Sequence, residues 1–234
     1  MNINALWLLI RELEPEYFHL INEASNCFLQ EIMDPISFND EELPEVSCAE
    51  LLDEIENILN RDLAMVAQAC TIEFCITNEY IVEGEAWNCI AHIFEHHRNL
   101  LTSNSRKYLN ALNNSYMGIY KVLSVEPNIS ITLKDMLEPN NRDYRVLSKN
   151  LSKVITANQI IATRLLKIEQ AKPSEYHLSN SLVFLPEGLD KECIGNIQML
   201  TAAMNQPCIL ILSLANNYKI LGALSRKLVY CNQP

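Results

Sequence analysis

The stretch GIYKVLSVEPNISITLKDML, residues 118–137, is where the character of this chain changes. Before it, apolar residues recur at helical spacing. Within it, two short extended pieces flank Pro127-Asn128, a pair suited to a turn. Further pieces of the same kind follow: YRVLS (144–148), QIIATRLLKI (159–168) and SLVFLP (181–186). The segments EPNNRD and NLSKVITAN lie between them, and Pro139-Asn140-Asn141 suits a loop, because proline fixes one turn torsion and asparagine tolerates the left-handed region. The pattern predicts a small antiparallel sheet, with a barrel-like closure left open.

Working back from this stretch, the preceding hundred residues read as helices. Leu6, Leu9, Ile10 and Leu13 form one face of a first helix, and Pro15 fits the first turn of a second helix running through Phe18, Ile21, Phe28 and Ile32. After the acidic connector DPISFNDEELPEV, Ser47 and Glu50 make a capping box for a helix carrying Leu51, Leu52, Ile55, Ile58 and Leu59. Helices are expected from Asp62 to about Tyr80. After Gly84 another is expected, with Trp87, Ile90, Ala91, Phe94 and Leu101 on one stripe. Thr102 or Ser103 would cap the next, which carries Tyr108, Leu109, Leu112 and Tyr116. Past the sheet, a helix is expected from about Leu189 to Met204, and Cys208 to Asn232 mixes a strand-like run with a helical spacing. The fold class is α+β. A helical N-terminal half, 1–101, precedes an α+β half, 102–234, holding the small sheet and C-terminal helices.

The chain has 234 residues, enough for one large domain or two small ones with buried cores. Its net charge of −11 is unevenly spread. Residues 1–100 hold 20 acidic and 3 basic side chains, whereas residues 101–234 hold 9 acidic and 15 basic. The field of the first half repels phosphate, so neither nucleic acid nor an anionic membrane suits it as a partner. The eight cysteines show no repeated spacing and no C-x-x-C, which points to buried thiols in a reducing compartment. No signal peptide is visible, and the apolar run Cys208–Ala215 is far short of the roughly 20 residues a membrane helix needs. The expected location is cytoplasmic, although secretion by a route without a classical signal is not excluded.

The pieces SYMGIYKVLSVEPNISITLKDML, YRVLSKNLSKVITANQIIATRLL and HLSNSLVFLP also carry a resemblance. This third of the chain, about Tyr108 to Phe184, resembles a bacterial domain of uncharacterised proteins that often bear a cysteine-rich SEC-C metal-binding tail. The resemblance implies a strand with a Tyr-x-Val element, a Leu-x-Asp strand, a valine-bearing strand and then a strand at Ile160–Leu166. The last residues of the sequence hold Cys231 and no cysteine-rich run, so no metal site is expected to carry over from the resemblance.

Chemistry is suggested by HIFEHH, residues 92–97. His92, Glu95 and His96 spell H-x-x-E-H, the spacing that sets two imidazoles on one side of a helix for zinc with a glutamate to activate its water. Cys89 lies one turn earlier on the same stripe, giving Cys89, His92 and His96 as a ligand set. Against this, the two histidines point away from the apolar stripe, and a downstream third ligand would have to be Glu169 or Glu175, neither on an expected helix. The five glycines are too scattered for a P-loop or dinucleotide fingerprint, and no serine nucleophile elbow occurs.

Arg142, Arg145, Lys149, Lys153, Arg164 and Lys167 surround the expected sheet, where Tyr116, Tyr120 and Tyr144 offer stacking surfaces for single-stranded nucleic acid. The competing reading docks that positive surface against the chain's own acidic half. The leading expectation is a non-enzymatic interaction or regulatory protein whose acidic helical surface binds a protein partner, basic in character or another copy of itself. No cofactor is expected. The zinc hydrolase and the nucleic-acid binder stand as alternatives.

Overall fold

A computed structural model describes residues 3–13, 15, 18, 19, 69, 70, 72–82, 84–138, 143–167, 175–179 and 181–185. The second and third expected helices lie mostly outside these residues, as do the acidic connector and everything expected after Leu185.

Helix α1 spans Ile3–Leu13 and buries Ile10 completely while Leu8 faces out, as its apolar spacing requires. Residues 72–77 are helical. The helix expected to run to Tyr80 stops there, and β1 (Glu79–Val82) and β2 (Glu85–Asn88) form an antiparallel hairpin. Gly84, at φ +86°, makes the turn between them, a torsion that costs glycine little and other residues much. Trp87, expected on a helix stripe, is therefore a strand residue whose side chain points into the core. The period-two pattern spans only four residues on each side of the turn, which is too short to outweigh the helical spacing around it.

Asn88 sets the boundary between strand and helix. Its Oδ1 accepts from the Ala91 N–H at 2.9 Å, capping α2 (Cys89–His96), while its Nδ2 donates to the Thr77 and Asn78 carbonyls. One side chain thus ties the hairpin to the helical residues before it and to the helix after it. Asn88→Ala should cost about 1–2 kcal/mol in urea unfolding; a loss below a few tenths would mean that the cap is redundant.

A 3₁₀ turn at Arg98–Leu100 leads to α3 (Ser103–Asn113), capped by Thr102, one of the two residues expected there, with Leu109 and Leu112 buried. Then come β3 (Met117–Glu126), β4 (Ser130–Asp135), β5 (Tyr144–Leu147), the one-turn helix α4 (Leu151–Val154), β6 (Ile160–Leu166), β7 (Glu175–Leu178) and β8 (Val183–Leu185). The opening stretch is the β3–β4 hairpin, and Asn128 turns it at φ +62°. Strands occur at each place the resemblance implied.

The six strands form one sheet in the order β3-β4-β5-β7-β6-β8, with β6 also paired to β3. The sheet is mixed, not antiparallel, because β5 and β7 run parallel, with Arg145 opposite Glu175 and Val146 opposite Tyr176. β7 occupies what reads locally as a proline-serine loop. Its strand character comes from a partner thirty residues away, which no local pattern encodes.

Two cores meet at β6. One gathers Ile10, Ile76, Trp87, Ile90, Leu109 and Leu112 with Leu166, joining residues from both sides of residue 101. The other, inside the sheet, gathers Tyr120, Val122, Leu133, Val146 and Ile161, and α4 covers it with Leu151. Every residue of β6 is buried, which accounts for its nearly unbroken apolar run.

Candidate functional site

Four strand ends and one helix end converge on a cavity of about 220 Å³. After the C-cap of α3, Asn114, Ser115 and Tyr116 enter β3, which carries Tyr120. Tyr144 comes from β5, Leu165 and Lys167 from the end of β6, and Tyr176 from β7. The Tyr120 and Tyr144 rings meet edge to face at 5.9 Å, and those of Tyr144 and Tyr176 at 5.1 Å, so three rings in edge-to-face succession wall one side. Gly118 makes room for this arrangement: the Tyr120 ring lies over it, where any Cβ would stand.

Behind the tyrosines lies Asp135, fully buried. Its Oδ1 accepts the backbone N–H groups of Leu137 and Glu138 at 2.9 and 3.0 Å, and Tyr116 Oη donates to its Oδ2 at 3.3 Å. Burial raises its pKa above the ordinary carboxylate range, with the nearby Glu138 charge adding to the shift and the backbone hydrogen bonds opposing it. Burial, and next the Asp135 charge, push the Tyr116 and Tyr120 hydroxyls well above the usual tyrosine range, so both remain protonated donors.

A carboxyl whose folded pKa is raised contributes stability that is present at low pH and is lost as pH rises through the folded value. Asp135→Asn keeps the Oδ1 acceptor. Its stability relative to the native chain should therefore increase as pH rises from about 4, the ordinary aspartate value, through the raised folded value. Thermal melts across that window measure this, and parallel curves would refute the burial argument.

Of the six cations read as a patch, Lys167 alone among the described residues lines the cavity. Arg145 bridges Glu126 at 3.0 Å and Glu175 at 3.2 Å. The hydrogen bond from Ser130 Oγ, and next the one from Arg145 with its charge, hold Glu126 below the usual carboxylate range. Lys149 and Lys153 are exposed around α4, and Arg142 lies outside the described residues. Because the Arg145 pairs reach solvent, Arg145→Gln should cost less than about 1 kcal/mol, and less still in high salt.

Arg164 is the clearest departure from the expected patch, being only 4% exposed. It points into the interface between the sheet and the helical residues 72–77, where its Nε lies 3.9 Å from Glu73 Oε2. Its other nitrogens donate to the Ser115 carbonyl at 3.0 Å and to Thr77 Oγ1 at 3.3 Å, and Ser181 Oγ donates to Glu73 Oε2. Docking of a basic residue against the acidic half is thus realised inside the molecule. A sequence signal for it existed: Glu73 and Arg164 are lone charges in the apolar runs ACTIEFCI and IIATRLL. No comparable signal marked Asp135 or Tyr176 as part of a site.

On α2, Cys89 is buried in the helical core, while His92 is half-buried and Glu95 and His96 are exposed. The His92 and His96 rings lie 4.3 Å apart, and the Glu95 carboxylate is 3.9 Å from His96 Nε2. Among the described residues no three His, Cys, Asp or Glu side chains gather in a group able to hold a metal ion. The double variant His92→Ala/His96→Ala should leave stability within about 0.5 kcal/mol, and elemental analysis of both forms shows whether the pair takes up a metal.

Among the described residues no helix is long and apolar enough to cross a membrane. Helices packed against a six-stranded mixed sheet place the protein in the α+β class. The chain belongs to the family of unknown function DUF7986, whose model matches residues 29–176, more than half of its length. No curated protein and no solved structure matches it.

Proposed function

We propose that this chain is a non-enzymatic binding protein whose ligand site is the tyrosine-lined cavity. The observation that carries the reading is the convergence of Tyr116, Tyr120, Tyr144 and Tyr176, from separate parts of the chain, on one concavity with Lys167 at its edge. We read the circuit of pairings from β3 through β4, β5, β7 and β6 back to β3 as barrel-like closure, which holds those rings in place. The Lys167 ammonium supplies a donor at the edge, while Tyr116 Oη and the Asn114 amide are already engaged by Asp135 and Asn110, so the ligand is a flat molecule with an anionic acceptor at one end. At about 220 Å³ the cavity is below the ~300–1,000 Å³ of drug-sized pockets, and a small ligand fits it. Benzoate is a suitable probe. Titration followed by NMR should shift tyrosine ring signals saturably in the native chain and not in Tyr144→Leu; an unresponsive native spectrum would exclude the site.

A second reading keeps the protein partner, and the β1–β2 hairpin favours it. Ile81 is 73% exposed on the hairpin's outer face beside Ala86 and Glu79, which are also exposed, and Glu85 is exposed at the turn. Among the described residues the two strands pair only with each other. An open ribbon edge with acidic flanks suits a basic extended segment that adds a strand. A lysine- and valine-rich peptide should bind with an affinity that falls as salt rises, and Ile81→Lys should weaken it. Affinity indifferent to ionic strength would remove this reading.

A further inference from the structure

Between α2 and α3 lies a second concavity, of about 340 Å³, lined by Phe94, Arg98, Arg106, Lys107 and Asn110. Its position follows from how the helices pack. Ile90 and Ile93 of α2 and Leu109 and Leu112 of α3 share one core, which leaves other flanks of the two helices to form a cleft. Phe94 and Arg98 are four residues apart, as are Arg106 and Asn110, and each pair lies on one side of its segment.

The chemistry of the lining opposes the composition of the chain. The protein carries −11 overall and residues 1–100 contain three basic side chains, yet one of those three, Arg98, faces this cleft beside Arg106 and Lys107. Among the described residues no carboxylate lines it. Among the described residues none of the three cations forms an ion pair, whereas Arg145, Arg164 and Lys134 all do. Three like charges around one cavity repel each other, and a multiply charged anion between them reverses the sign of that energy.

We propose that this cleft is a binding site for a phosphoryl group or a similar multiply charged oxyanion on a small molecule. Arg98 and Arg106 supply planar guanidinium forks, Lys107 a compact charge and Asn110 a neutral donor, and the Phe94 ring covers the apolar part of the ligand. Its volume of about 340 Å³ falls within the ~300–1,000 Å³ of small-ligand pockets, which favours a small molecule over an acidic peptide. The site shares no residue with the tyrosine-lined cavity and does not depend on it.

Calorimetric titration of the full chain with inorganic pyrophosphate tests the assignment. Binding should be saturable and weaken with added salt. Arg106→Gln should lower the affinity about tenfold or more, and Lys107→Gln should lower it less. Pyrophosphate should also raise the melting temperature of the native chain more than that of Arg106→Gln, whose own cooperative melt checks that the variant is folded. Absence of saturable binding at low salt, or equal affinity in both variants and the native chain, would overturn the proposal. A polyglutamate peptide that binds more tightly than pyrophosphate and displaces it would overturn it in favour of an acidic chain.

Discussion

Replacing Arg164 with methionine should lower the unfolding free energy by about 3–5 kcal/mol, the usual consequence of removing one partner from a buried ion pair. The cause is the charge left behind. Glu73 is fully buried, and without the guanidinium its carboxylate keeps the Ser181 hydroxyl but faces no cation at Arg164. The Ser115 carbonyl and Thr77 Oγ1 would lose donors as well. Urea unfolding of the native chain, Arg164→Met, Glu73→Leu and the double variant forms a closed cycle. The double variant should recover most of the loss, because an apolar pair of similar volume replaces a buried ionic one at little net cost. Salt should hardly change the result, in contrast to the exposed Arg145 pairs. A single-variant loss below about 1 kcal/mol, or a double variant no better than the singles, would show that the contact is not what joins the helical residues 72–77 to the sheet.

Gly118→Ala should destabilise by about 1–3 kcal/mol, the range for forcing atoms into a filled core. An added Cβ at this position would lie 2.6 Å from Cζ of Tyr120. The ring can yield only toward the cavity it lines: Tyr120 is 1% exposed, packs in the sheet core with Val122 and Leu133, and meets Tyr144 edge to face. The sign of this effect is informative, because glycine in a strand is usually a poor choice and alanine often improves on it by a few tenths to about 1 kcal/mol. The near-ultraviolet tyrosine signal should change together with the urea midpoint. In Gly118→Ala/Tyr120→Leu the ring is gone, so the two substitutions should cost less together than the sum of each alone. A Gly118→Ala chain as stable as the native one would mean that the ring moves freely, and the rigid wall assigned to the cavity would go with it.

Legibility in the sequence followed the range of the interactions involved. The β3–β4 hairpin was plain because Pro127-Asn128 and the extended pieces beside it lie within twenty residues of one another. The Thr102 cap and the buried Leu109 and Leu112 of α3 were plain for the same reason. The β1–β2 hairpin was missed because four-residue strands give too little alternation to compete with the helical spacing on both sides. The site divided in the same way. Tyr116, Tyr120 and Tyr144 stood out as aromatic residues near the sheet, but Tyr176 lay in a segment without strand character, and Asp135 looked like any strand-end carboxylate. Arg145 and Arg164 looked like part of one basic patch since the sequence shows charge without showing what already neutralises it.

By itself the sequence determined the α+β class, most of the strands between Met117 and Leu185, the cap at the start of α3 and the uneven distribution of charge, because each depends on residue types and spacings within one or two turns of chain. Only the tertiary structure decided that β7 pairs parallel to β5, that Arg164 faces inward to Glu73, and that four tyrosines share a cavity. Those outcomes depend on which distant segments pack together. Burial then sets whether a given charge or hydroxyl is a surface feature or part of a site.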